Sequence, residues 1–283
     1  MIITKKQLKS YRDDGFLFLP NLFSEAEVNV MKDQLPAIFS EDSERRVIEK
    51  EGNIVRSVYG SHVTNEAFHR LTRHPRLVEP AKQILGSEVY VYQFKINAKA
   101  ALGGDMWAWH QDYVFWNKED GMPSPRVVNV MVFLDAVNEF NGPMFLIPGS
   151  HEAGVIDVAA RETFKENAPG VYFDSPAWIS NLTADLKYSL GKEVVANLVS
   201  QYKIVAPKGP AGSVLFFHSN IVHGSPNNIS PFDRVAVIIT FNSTANIPAP
   251  VGRRRPDFLA GRDYQPVVSL SDDALLINWN KAS

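Results

Sequence analysis

Cysteine is absent from this 283-residue chain. That excludes a disulfide framework, a thiolate metal site and thiol catalysis. An excess of one charge sign is missing as well: the net charge is −2. No bulk field therefore draws the protein to nucleic acid or to an anionic membrane. Apolar runs long enough to span a bilayer are lacking. Phe16–Leu19 is too short, and too soon broken by Pro20, to serve as a secretory signal. Internal repeats and low-complexity segments are also wanting. The expectation is a cytoplasmic, soluble protein with a small-molecule substrate, no nucleic-acid or membrane partner, and a monomeric or homodimeric state.

What is present suits a large core: 45% of residues are hydrophobic and 21% charged. Two capping boxes, Thr4–Gln7 and Ser24–Glu27, open early helices. Residues 65–86 read as helical, interrupted by Pro75 and Pro80. From Val89 the apolar period changes to two. Strand-like runs follow at 89–96, 107–112, 127–135, 144–147, 204–206, 213–217 and 235–242, with turns such as Asn141-Gly-Pro143 between them. Helices first and many short strands later predict a mostly β fold with flanking helices, a jelly roll. Residues 1–283 read as a single domain with its core at about 89–245. The insertion 152–200 breaks the strand rhythm, carries Tyr172, Phe173 and Trp178, and turns helical near Lys192. Long connections of this kind often act as lids. The tail 248–283 is expected to pack back over the barrel.

The most informative stretch is Trp107-Ala-Trp-His-Gln-Asp-Tyr-Val-Phe-Trp116. On a strand, His110 and Asp112 point to one face and can grip one metal ion. A further imidazole comes from His218-Ser-Asn-Ile-Val-His223. Two imidazoles and one carboxylate on one face of an octahedral ion leave the other face open, the arrangement of non-haem Fe(II) oxygenases. His223 is preferred to His218 because Arg234 follows it by eleven residues. An arginine opening the apolar strand Val235-Ala-Val-Ile-Ile239 needs an anion if buried. A guanidinium suits the distal carboxylate of 2-oxoglutarate. The plainer reading pairs Arg234 with Asp233 at the surface. His62, His69, His74 and His151 read as structural.

Trp109-His-Gln-Asp-Tyr-Val-Phe-Trp-Asn-Lys-Glu-Asp-Gly-Met-Pro123 resembles the corresponding motif of ectoine hydroxylases within the phytanoyl-CoA dioxygenase family. So do Asp14-Gly-Phe-Leu-Phe-Leu-Pro20, Phe133-Leu-Asp135, Asn141-Gly-Pro143, Ile147-Pro-Gly-Ser-His151, and His223-Gly-Ser225 with Arg234. The likeness runs from about residue 4 to 270. It implies a double-stranded β-helix (cupin-like jelly roll) and chemistry with Fe(II), 2-oxoglutarate and O2. It makes His110, Asp112 and His223 the catalytic iron ligands. It puts Arg234, Ser225, Asn97, Asn129 and Trp107 around the cosubstrate. It assigns Gln93, Tyr113, Trp116, Phe217 and Ile238 to the substrate pocket. Trp107 and Ile238 depart from the aromatic residues of that family, which alters the walls and leaves the iron chemistry alone.

The retained carboxylate of Asp112 favours hydroxylation over halogenation, with desaturation or rearrangement still open. A small amino-acid-like metabolite ranks first as substrate, and a larger natural product or nucleotide second. The aromatic neighbourhood suits a cationic amine. Gln93 and the Arg253–Arg255 run could meet a carboxylate or phosphate, although three adjacent arginines usually make a solvated face. A metal-binding jelly roll without oxygen chemistry, such as a lyase or sensor, is the competing class. Arg234 and Ser225 count against it.

Overall fold

The computed structural model describes residues 1–49, 54–156, 182, 186–249, 251–252 and 254–277. Helix α1 (Lys5–Asp14) begins at Thr4, whose hydroxyl accepts from the Gln7 amide while the Gln7 side chain accepts from Thr4, and it ends at Gly15. Helix α2 (Glu25–Lys32) repeats this reciprocal cap with Ser24 and Glu27. Helices α3 (Leu35–Ser40), α4 (Ser61–Thr64), α5 (Glu66–Thr72) and α6 (Pro75–Leu85) follow. Pro75 sits at the first position of α6, where a missing N–H costs nothing. Pro80, expected to interrupt, lies inside that helix. Its lost hydrogen bond is outweighed because Val78, Pro80 and Ala81 are all buried there, Val78 and Ala81 in the outer core.

The described strands form two antiparallel sheets. The larger runs β1 (Phe16–Leu19), β8 (Val214–His218), β6 (Val127–Phe133), β10 (Arg234–Ser243), β4 (Val89–Lys99), β3 (Val55–Tyr59) and β2 (Arg46–Ile48). The smaller runs β5 (Trp107–His110), β9 (His223–Ser225) and β7 (Phe145–Leu146). Period-two alternation divides the core. Val235, Val237, Ile239 and Phe241 of β10 join Val128, Val130 and Val132 of β6 against the helices. Ala236, Ile238, Met131, Phe133, Leu215 and Phe217 face inward, toward Leu146 of the smaller sheet. This is the mostly β jelly roll with flanking helices that the strand pattern predicts.

Two strands differ from expectation. The 204–206 run contributes only a bridge between Val205 and Leu146. The 107–112 run ends at His110, and Asp112 begins helix α7 (Asp112–Asp120). Gln111 between them is still extended, at φ −117° and ψ 131°. The His-x-Asp pair therefore shares a face as it would on a strand. Within the 152–200 insertion, Tyr172, Phe173 and Trp178 lie outside the described residues. Its end is described: Leu182 and Leu186 are buried and helix α8 covers Lys192–Gln201. The C-terminal segment runs back along β4, where the amides of Gly261 and Val267 donate to the carbonyls of Tyr92 and Val89.

Candidate active site

His110 and His223 are register partners across the β5–β9 pair, so distance in sequence becomes adjacency in space. Their ring centroids lie 4.2 Å apart. His110 Nδ1 lies 2.6 Å from the Ala108 carbonyl, and His223 Nδ1 lies 3.0 Å from that of Ile221. Each Nδ1 thereby keeps its proton and each Nε2 is left as a donor to a metal. The two Nε2 atoms face the Asp112 oxygens at 3.6 and 3.7 Å. One ligand atom from each of the three residues falls within 4.8 Å of the others, the one such cluster among the described residues. Burial alone would raise the Asp112 carboxyl, but His223, His110 and Lys95 outweigh it and hold it well below the usual range. Burial and His110 push His223 down to about 4. At neutral pH Asp112 is a carboxylate and His223 a neutral imidazole, and two imidazole nitrogens with one carboxylate fit a divalent iron. His218 stands apart: its Nδ1 accepts from the Asn220 amide and its ring packs on His151.

Asn129 stands behind this set. Its Nδ2 donates to Asp112 Oδ2 at 2.8 Å, and its Oδ1 accepts from the Thr240 hydroxyl at 2.7 Å. The amide that the family likeness would aim at the cosubstrate is thus engaged on Asp112, and orients it.

Two chambers meet at His110 and Asp112. The inward rows of the β10–β4 ladder lay out their floor: Arg234 opposite Lys99, Ala236 opposite Asn97, Ile238 opposite Lys95, and Thr240 opposite Gln93. The first chamber, about 490 Å³, is lined by Arg234, Lys99, Asn97, Ser225, His223, Ile238 and Phe217, among others. Ile238 and Phe217, expected at the substrate, are therefore on the wall shared with Arg234. Arg234 is 3% exposed and, among the described residues, donates only to the carbonyls of Asn141 and Gly142, at 3.4 and 2.5 Å. Asp233 instead accepts from the Ala101 amide, which removes the surface pair considered for Arg234. Burial pushes Arg234 down to about 10. Burial, with Arg234 and Arg56 adding to it, pushes Lys99 down to about 6. Gly142 adopts φ 71°, and a Cβ there would lie 2.6 Å from Lys99 Cδ; glycine is what lets this carbonyl reach Arg234. Asn97 Oδ1 is buried without a hydrogen-bond partner among the described residues. A buried guanidinium with no carboxylate bound to it among the described residues is what a dicarboxylate would complete.

The second chamber, about 380 Å³, is lined by Gln93, Lys95, Trp107, Trp116, Phe115, Tyr59, Leu182, Leu186 and Arg255 beside His110 and Asp112. Gln93 and Trp116 are where a substrate pocket was expected. Tyr113 is not: one residue into α7 it turns away from Asp112, and its hydroxyl donates to the Met122 carbonyl. Trp107 separates the chambers, with the Arg56 guanidinium 3.8 Å from its ring centroid. Trp109 faces outward and stacks on Phe145. Arg255, in the run left open between an anion contact and a solvated face, is buried and bound through Nε and Nη2 to Asp120, which also accepts from the Tyr92 hydroxyl. Arg253 lies outside the described residues.

Lys95, Lys99 and Phe115 escaped the sequence reading. The lysines carried a signal: Gln93, Lys95, Asn97 and Lys99 form a polar stripe of period two in an otherwise apolar strand. The Arg255–Asp120 pair had none, because it joins residues 135 apart.

Residues 11–236 match the family model described as phytanoyl-CoA dioxygenase (PhyH). The L-proline trans-4-hydroxylase of Streptomyces griseoviridis is 40% identical over 266 residues, covering 94% of this chain and 95% of that one. The ectoine dioxygenase of Bordetella bronchiseptica is 36% identical, over 97% of this chain and 88% of its own. Among solved structures, EctD from S. alaskensis with 2-oxoglutarate and 5-hydroxyectoine superposes with a TM-score of 0.78 at 28% identity, covering 95% and 87% of the two chains.

Proposed function

Because this chain belongs to the phytanoyl-CoA dioxygenase family, we propose that its two chambers serve the hydroxylation of an unactivated C–H in a small amino or imino acid. The enzyme is a dioxygenase that uses Fe(II), 2-oxoglutarate and O2. In this reading His110, Asp112 and His223 hold the iron. Arg234 and Ser225 take the distal carboxylate of 2-oxoglutarate, with Asn97 beside it. The second chamber takes the substrate. Bound iron, with cosubstrate and O2, supplies the oxidising power that replaces C–H by C–OH while 2-oxoglutarate leaves as succinate and carbon dioxide.

The protein's own part is placement and protection. Asn129 and Thr240 fix the Asp112 carboxylate. Arg234 sets the cosubstrate's direction by two parallel hydrogen bonds. Trp107, Phe115 and Trp116 keep water from the reacting carbon. The reading includes one domain over residues 1–283 and a cytoplasmic location; no helix among the described residues is long and apolar enough to cross a membrane.

The observation that carries the proposal is the pairing of Arg234, with no carboxylate bound to it among the described residues, in one chamber with a separate aromatic chamber on the other side of the same three ligands. The similarity to an L-proline hydroxylase makes L-proline the first compound to try. The test incubates the iron-loaded enzyme with 2-oxoglutarate, O2 and each of a panel of amino acids, imino acids and ectoine. Succinate and a product heavier by one oxygen are read together. One panel member should give the two in equal amounts. Succinate without hydroxylated product from every member would refute the substrate class.

A further inference from the structure

Trp107 lines the cosubstrate chamber and the substrate chamber alike. Three positions separate it from His110, and on a regular strand the two side chains would face opposite ways. The β5–β9 ladder slips between them: Trp107 stands opposite Ser225 and His110 opposite His223. A step of three on one strand meets a step of two on the other, the kind of extra residue that re-aims a side chain. Trp107 and His110 therefore both look inward. The regular ladder that aims His110 does not by itself aim the indole, so a contact from outside that sheet has to fix it.

Arg56, on β3 of the larger sheet, makes that contact. It is 1% exposed, and its guanidinium lies 3.8 Å from the Trp107 ring centroid. Nη2 donates at 2.9 Å to the carbonyl of Met106, the residue just before Trp107. Nε donates at 3.2 Å to the carbonyl of Leu182, a wall of the substrate chamber. Nη1 donates to both Glu49 oxygens, at 3.1 and 2.9 Å, and Glu49 Oε1 also accepts from the Asp105 amide. One buried cation thus holds the face of the indole, the backbone leading into it and a wall of the second chamber. Arg56 is part of the lining of neither chamber, so whatever it does for the reaction passes through Trp107 and Leu182. A buried ion pair seldom stabilises a fold more than apolar residues of the same volume would. What the guanidinium adds is direction, because its donors are fixed in one plane and that plane is stacked on the ring.

We propose that Arg56 is a positioning residue: stacked on Trp107 and bonded to the Met106 and Leu182 carbonyls, it fixes the partition between the chambers and so ties consumption of 2-oxoglutarate to hydroxylation of the substrate. The proposal rests on the function assigned above. With the partition loose, the substrate C–H is no longer held toward the iron, and cosubstrate is spent without product. In such a cycle the oxygen atom not placed in substrate leaves as water, reduced by two electrons from the ascorbate of the assay.

The test uses the enzyme loaded with Fe(II), with 2-oxoglutarate, O2, ascorbate and the panel compound that wild type hydroxylates. Succinate and hydroxylated product are counted together, and KM is measured for substrate and for 2-oxoglutarate. Wild type is compared with Arg56→Met, Arg56→Lys and the double variant Glu49→Gln with Arg56→Met. Wild type should give the two products in equal amounts. Arg56→Met should give about one hydroxylated product per three succinates or fewer. Its KM for substrate should rise about 10-fold with loss of the ring contact, while that for 2-oxoglutarate holds within about 3-fold. Arg56→Lys keeps a cation for Glu49 and Trp107 and should recover part of the coupling. Equal amounts of succinate and product in Arg56→Met would overturn the proposal, even if turnover were slower, since that is what a merely structural residue would show. A raised KM for 2-oxoglutarate with coupling intact would overturn it as well. Should Arg56→Met fail to fold because Glu49 is left buried and unpaired, the double variant decides: it must uncouple in the same way, and coupled turnover in it refutes the assignment. If wild type hydroxylates no compound of the panel, the functional reading falls first and takes this proposal with it. Coupled turnover in wild type and in the variants sinks this proposal alone.

Discussion

Arg234→Met separates what a buried cation does for function from what it costs the fold. In the protein without cosubstrate, burial lowers this guanidinium from 12.5 to about 10. A depressed pKa on a cation means that the folded state resists the charge. The penalty is in force at every pH below the folded value and lifts only as pH rises past it. A shift of that size corresponds to roughly 3 kcal/mol. Methionine removes the penalty and keeps most of the volume. It also strips the donors from the Asn141 and Gly142 carbonyls, at about 1 kcal/mol each. The net is a gain of about 1 kcal/mol for the apo-protein, or a melting temperature higher by about 2 °C. Function moves the other way. Two parallel hydrogen bonds to a carboxylate are worth about 3–4 kcal/mol together, so the 2-oxoglutarate requirement should rise about 10²- to 10³-fold. Scanning calorimetry of both proteins, with and without Fe(II) and 2-oxoglutarate, reads both effects. Wild type should gain stability with cosubstrate by mass action and the variant should not. A variant that melts several degrees lower when apo, yet still responds to 2-oxoglutarate like wild type, would refute the reasoning.

Three further outcomes follow from contacts already described. Asn129→Ala takes away the amide that orients Asp112, and Fe(II) affinity in an anaerobic titration should fall about 10- to 100-fold with the melting temperature little changed; unaltered affinity would deny Asn129 a positioning role. Asp120→Asn leaves the Arg255 charge buried beside a neutral amide and should cost about 3–5 kcal/mol in denaturant unfolding, while the double variant Asp120→Asn with Arg255→Met should recover much of that loss. His62 and His218 are each pushed down to about 4, chiefly by burial. A histidine with a depressed folded pKa is stabilising above its unfolded pKa of about 6.5 and loses that contribution as pH falls toward the folded value. Apo-protein stability should therefore decline between about pH 6.5 and 4, and His62→Asn should flatten the decline measured by melting temperature against pH.

Local chemistry was readable in the chain, and long-range pairing was not. The caps at Thr4 and Ser24 are written in four residues each, and the structure uses both. The β10 strand was visible as an apolar run, and so was the unusual arginine at its start. The triad was legible because His-x-Asp fixes geometry over three residues, whether Asp112 ends a strand or, as here, starts a helix. Tyr113 shows the limit of that reasoning: the change from strand to helix at Asp112 turned its side chain from the pocket to the Met122 carbonyl. Pro80 marks another, since burial of a whole helix face outweighed one absent donor. Arg255 and Asp120 meet only because the C-terminal segment folds back over α7, and no local pattern announces such a contact. Asn129 was found as a site residue, but its hydrogen bond to Asp112 was not, because its place behind Asp112 depends on how two sheets face each other.

The central claim is that His110, Asp112 and His223 hold an iron to which 2-oxoglutarate chelates under the direction of Arg234. Anaerobic titration of the apo-protein with Fe(II) and then 2-oxoglutarate tests it most directly, by the visible charge-transfer absorption of an iron-bound keto acid. The band should grow to one equivalent in wild type and be lost in His223→Ala. A band of equal strength in His223→Ala, or none in wild-type protein that binds Fe(II), would contradict the account.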